Sequence, residues 1–262
     1  MGIQTLDSVP VVGVFVLIVV VTLVVYEAGF RLGRWWQVRT PGEQEATGVL
    51  VGSIVGLLAF LLAITMGMAS DRFDTRRGLV LEEANAIGTT YLRAGYLPEP
   101  ASTQIRDLLR EYAPLRVATA DRARLQANIE QSAVIGNQIW SIGEDLAKTT
   151  DQGDLLSLFL DSTNQMIDLH ESRIVAGIYA RVPETILLLL LVGSAFSLGM
   201  VGYSAGLTLK RGVLSAIGLA IVLAAVLTLV VDLDRPRDGF LTVSQQPILD
   251  VIKQIGAQPP PP

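Results

Sequence analysis

His170 is the only histidine in the chain, and it stands between Asp168 and Glu171. An imidazole beside carboxylates can move a proton or sense pH, because its ordinary pKa is about 6.5. Its setting points elsewhere: Leu156, Leu160, Thr163, Ile167, His170 and Ile174 recur on one helical stripe, the place of a polar side chain packed inside a bundle. Glu82 and Glu83 offer paired carboxylates, but neighbouring helix residues point about 100° apart and do not clasp one ion. The chain has no cysteine, which removes thiolate nucleophiles and Cys-ligated metals. It shows no Ser–His–Asp order, Walker loop, HExxH or glycine-rich dinucleotide fingerprint. Catalysis, a bound metal and a cofactor are therefore not expected.

The remaining charged chemistry is clustered. Asp71, Arg72, Asp74, Arg76 and Arg77 fall within about two helical turns. Arg72 and Arg76 are like charges four residues apart, which calls for outside partners. Interfacial anchoring with salt bridges to adjacent helices is one reading; a ring of arginines at a pore mouth, attracting anions, is the other. Asp232, Asp234 and Arg235 are expected at the same membrane level, with Asp232 or Asp234 pairing with Arg72 or Arg76. Pro236 would stiffen that turn.

These residues need elements to carry them, and those elements are oily. Hydrophobic residues make up 50% of the chain and charged residues only 17%, with a mean hydropathy of +0.48; that balance does not suit a soluble domain. A formal charge of −5 excludes a phosphate-binding surface for nucleic acid. Val9–Tyr26, Gly48–Ala69, Thr185–Leu207 and Gly212–Val231 each lack Asp, Glu, Lys, Arg and His. Each approaches or exceeds the roughly 20 residues of a spanning helix. The first is valine-rich, yet in hydrocarbon every backbone N–H must be satisfied within the segment, so a helix is still required. It is expected as a permanent span: Met1–Ser8 contains Asp7 but no Lys or Arg, unlike a signal peptide.

The fold predicted is all-α and membrane-integral. Residues 1–69 and 185–231 form transmembrane hairpins, 70–184 an antiparallel helical stalk outside the membrane, and 232–262 a polar loop with a turn or two of helix near Ile248–Ile255 and a Pro-rich tail. The second span is expected to continue outward as one long helix, with Val80, Ala84, Ile87, Tyr91 and Ala94 on its packed face. A second stretch carries Ile105, Leu108, Leu109 and Tyr112, kinks at Pro114 and resumes with Leu125, Ile129, Ala133, Gly136 and Trp140. A turn follows at Asp151–Asp154, and the third stretch ends at Pro183. Arg31, Arg34 and Arg39 in the first short loop, with Lys210 and Arg211 in the last, place those loops in the cytoplasm. The stalk and both termini would then be extracytoplasmic, in a bacterial inner membrane.

Along the second span, Gly48, Gly52, Gly56, Ala59, Ala63 and Gly67 recur three or four residues apart. Small residues let helices approach closely, so packing against the neighbouring spans is expected. The alternative is an oligomer or pore helix, with Phe60 and Ile64 as a constriction that gates by dewetting. Gly212, Ala216, Ala220 and Ala224 form a second such ridge on the fourth span.

Three segments together carry a resemblance: Leu58–Leu97 with its SDRFDTRRGLVLEEANAIGTTYLRAGYL, REYAPLR at Arg110–Arg116, and DLDRPRDGFLTVSQQPI at Asp232–Ile248. In order and in span layout the chain resembles the bacterial bestrophin-like domain family. The resemblance implies kinship with bestrophins, pentameric anion channels with an extended pore neck. It therefore implies a homo-oligomer in a lipid bilayer, with an anion as the permeant species. The acidic calcium clasp of bestrophins has no evident counterpart in this sequence. The competing expectation is a sensory or scaffolding membrane protein whose stalk binds a partner.

Overall fold

The computed structural model describes residues 9–37, 44–119, 121–149, 153–235 and 239–259. The amino-terminal eight residues, Arg39, the start of the Asp151–Asp154 turn, Pro236 and the last three prolines lie outside them. The described residues form helices and no strand. In order these are α1 Val11–Gln37, α2 Gln44–Ala94, α3 Ala101–Leu115, α4 Arg122–Ala147, α5 Gly153–Ile174, a π-helical turn Val175–Tyr179, α6 Glu184–Thr208, α7 Val213–Asp234 and α8 Gln246–Ile255. Four of them are long and apolar enough to cross a membrane. The chain divides into two compact units, one of residues 1–73 with 181–242 and the other of residues 74–180 with 243–262.

The first unit is held by glycine contacts between α1 and α6. A Cβ placed at Gly29 would overlap the Gly199 carbonyl, at Gly33 the Tyr203 carbonyl, and at Gly202 and Gly206 the Tyr26 and Phe30 carbonyls. The two backbones therefore touch, and only glycine permits it. α1 runs eleven residues beyond the expected end at Tyr26; the charged turn after the apolar run stays helical because Arg31 reaches back to Glu27 at 2.8 Å. On α7 the Ala216, Ala220 and Ala224 ridge is buried. α2 turns Val51, Leu58, Leu62, Thr65 and Ala69 inward. Thr22 and Thr65 return their hydroxyls to carbonyls one turn back, which satisfies both within their own helices.

The second unit packs the outer part of α2 with α3, α4, α5 and α8 around Ile87, Ile105, Leu109, Tyr112, Ile139, Phe159, Met166, Ile248 and Ile252. The expected continuation through Pro114 does not occur: α3 ends at Leu115, and Asp121 caps a new helix through the N–H groups of Ala123 (2.9 Å) and Arg124. The face of α4 also differs from expectation. Ala133 is exposed and Trp140 only half-buried, whereas Ser132, Ile135, Gly136, Ile139 and Gly143 face inward. Gly143 lies against Leu160, whose side chain would have to shift to admit a Cβ. After the fourth span the expected turn or two of helix is a ten-residue helix, with Ile248, Val251, Ile252 and Ile255 in the core. Arg110 fastens it by donating to the Ile255 carbonyl at 3.0 Å.

Candidate functional site

Half of α2 is apolar on every side, but only one side is covered. Positions 48, 52, 56, 59, 63 and 67 are all exposed. A Cβ at Gly48, Gly52, Gly56 or Gly67 would meet nothing within 4 Å among the described residues. The expected packing of this stripe against neighbouring spans is therefore not present among the described residues. Leu58 and Leu62, roughly 90–130° round the helix from the stripe's centre, are buried instead. Phe60 is 61% exposed and Ile64 47%, so the open face carries two bulky side chains among small ones. The close contacts that small residues do make belong to Gly29 and Gly33 against Gly199, Gly202 and Gly206. Their GxxxG spacing was visible in the sequence, but Gly29 and Gly33 lie past the apolar run that marked the first span.

At the end of α7 the acidic residues close loops. Asp232 accepts hydrogen bonds from the backbone N–H groups of Phe240 and Leu241, each at 3.0 Å, and Gly239 lies so close to its carboxylate that no side chain fits. Asp234 accepts from the Val182 N–H at 2.7 Å, and Arg235 donates to the Val9 carbonyl at 2.9 Å. All three are buried. The expected ion pair with Arg72 is not formed by either carboxylate; backbone donors that need acceptors in a buried turn compete for the same oxygens. Arg72 is half-buried, Arg76 buried and Arg77 exposed.

The second unit contains a site that the sequence reading passed over. Glu83, fully buried, receives Arg116 Nε at 2.6 Å on one oxygen and an Arg173 guanidinium nitrogen on the other. The Tyr112 hydroxyl donates to it at 3.4 Å. Arg173 also donates to the Arg116 carbonyl and to Gln245 Oε1, both at 3.3 Å. Burial would raise the Glu83 carboxyl, but the two guanidiniums more than offset it and hold it below the ordinary carboxylate range. Burial raises the Tyr112 phenol, which stays protonated and able to donate. The His170 ring lies 6.4 Å from that of Tyr112. Burial, with Arg116 and Arg173 opposing a further positive charge and Glu83 favouring one, lowers the imidazole to about 4. Among the described residues no three His, Cys, Asp or Glu side chains gather as a metal site.

The bestrophin-like domain family matches residues 12–248, nearly the whole chain. The chain belongs to that family. No curated protein matches it. Among solved structures it is similar to a bacterial bestrophin homologue from Klebsiella pneumoniae, with a TM-score of 0.67 at 14% identity over 94% of this chain and 98% of that one. It is also similar to a membrane protein with a leucine-to-alanine substitution, with a TM-score of 0.68 at 10% identity over 92% and 96%. At such identity the likeness is one of fold. With its four apolar helices, this bestrophin-like chain is an integral membrane protein.

The buried cluster also had a sequence signal. Glu83, Tyr112, Arg116 and Gln245 all lie in the three segments that carry the family resemblance. Spacing gave no hint, since the partners of Glu83 are 33 and 90 residues away.

Proposed function

We propose that this bestrophin-like protein is a homo-oligomeric membrane channel conducting anions rather than an enzyme. The observation that carries the reading is the uncovered face of α2, where Gly48, Gly52, Gly56, Ala59, Ala63 and Gly67 are exposed and a Cβ on any of the four glycines would meet nothing among the described residues. An apolar helix with a small-residue face suits close contact with copies of itself, and Phe60 and Ile64 on that side would narrow a central path. Arg72, Arg76 and Arg77, repeated by symmetry, would supply positive potential beyond the constriction, which favours anions. The second unit would stand outside the bilayer as the neck, and five copies are expected by analogy with bestrophins. The experiment is anion flux through purified protein in liposomes, with the oligomer confirmed in the same preparation. Intact oligomers that carry no current at any pH or voltage would sink the channel reading and leave a sensory or scaffolding role.

A further inference from the structure

The glycine contact in the first unit brings together two charged helix ends. Gly33 of α1 meets Gly206 of α6 so closely that a Cβ on Gly206 would lie 2.8 Å from the Arg34 backbone nitrogen. Three residues on, Leu209 caps α6 in the left-handed conformation (φ 54°), and the short turn into α7 presents Lys210 and Arg211. The two chain ends thus place Arg31, Arg34, Lys210 and Arg211 in one region, against Glu27 as the acid.

Glu27 does not neutralise them evenly. Its Oε1 takes Arg31 at 2.8 Å and Arg211 at 2.7 Å, and Arg211 also covers the Phe30 ring at 4.6 Å. Arg34 and Lys210 are exposed and donate no hydrogen bond among the described residues. Depth separates Arg34 from Glu27 as well. Glu27 follows directly on the apolar run and so marks the edge of the hydrocarbon, while Arg34 lies seven residues further along α1, about 10 Å at helical rise. That is headgroup depth. Trp35 and Trp36 stand there too, 50% and 39% exposed, with rings 5.9 Å apart, as indoles do at a membrane–water boundary.

We propose that Arg34 and Lys210 form a binding site for the phosphate headgroup of an anionic phospholipid, bordered by Trp35 and Trp36, with Glu27 holding Arg31 and Arg211 as its inner wall. Charge complementarity and depth select a lipid: the cations stand where lipid phosphates lie, and the apolar exposed flank of α1 below them, Val20, Val21 and Val24, suits an acyl chain. The site does not depend on whether the protein conducts ions.

The full chain is placed in nanodiscs of equimolar phosphatidylglycerol and phosphatidylcholine, and the lipids retained on release are counted by native mass spectrometry. Phosphatidylglycerol is expected in clear excess. Each of R34Q and K210Q should lower the preference about fivefold, the double variant should bring it near parity, and K253Q in the other unit should leave it unchanged. No preference in the native protein, or one that survives the double variant, overturns the proposal. A rise in melting temperature with inorganic phosphate alone, equal to that with the short-chain anionic lipid, also overturns it, since the site would then be one for free anions.

Discussion

Glu83 is the residue whose loss should be felt most. Replacing it by Gln leaves the buried Arg116 and the half-buried Arg173 without their countercharge, and breaking a buried pair in this way costs about 3–5 kcal/mol. Glu83→Gln is therefore expected to lower the melting temperature in detergent sharply, whereas Glu82→Gln, on the exposed side of the same turn, should leave it unchanged. His170 adds a pH dependence with a defined sign. Unfolded, it takes a proton near its ordinary value of 6.5; folded, only near about 4. Between those values the unfolded state binds more protons, so stability falls as pH falls through that window, by at most about 3 kcal/mol. Glu83, held below its ordinary value of 4.5 when folded, contributes its own loss only from about that pH downward. Melting curves from pH 7 to pH 4.5 should flatten in His170→Gln; an unchanged slope would mean that the imbalance lies elsewhere. In the sequence, His170 was legible as a packed bundle histidine, and it is buried. Its ionic surroundings were not legible, because the arginines that define them reach it only through tertiary folding.

At the scale of the element, glycine means two different things in this chain. On α1 and α6 it is a contact within the molecule, so Gly33→Leu or Gly202→Leu should prevent the first unit from forming, since a side chain would have to occupy a carbonyl position. At Gly48, Gly52, Gly56 and Gly67 of α2 it meets nothing among the described residues, so Gly52→Leu and Gly56→Leu should fold as single chains and fail in assembly. Size-exclusion chromatography with light scattering separates the outcomes: aggregated or unfolded protein for the first pair, folded protein of altered oligomeric state for the second. Leu62→Ala provides the contrast, because that leucine is buried; about 2–4 kcal/mol of lost packing is expected. The four spans and the long α2 could be read from hydropathy and periodicity. Which side of a uniformly apolar helix faces inward could not, because hydropathy carries no directional information when every face is oily.

At the scale of the whole molecule, α8 decides the chain's pairing across the membrane. Its Ile248, Val251, Ile252 and Ile255 share one core with Ile87, Leu109, Ile139 and Phe159, which come from the stretch between the second and third spans. With this core expected outside the bilayer, the segment after the fourth span is expected to emerge where the segment after the second does. Two crossings separate them, and an even count follows from packing alone, without any appeal to charge. The sign of the orientation needs charge: Arg31, Arg34, Lys210 and Arg211 stand at the opposite ends of the spans, in short connections where basic residues favour the cytoplasm. Reporters inserted near Gln126 and after Ala257 are therefore expected on one side, outside the cytoplasm, and reporters near Gly42 and Leu209 on the other. A split between Gln126 and Ala257 would contradict the shared core and with it the four-span arrangement. Both reporters active in the cytoplasm would reverse the orientation while leaving the core, the glycine contact and the open face of α2 as described.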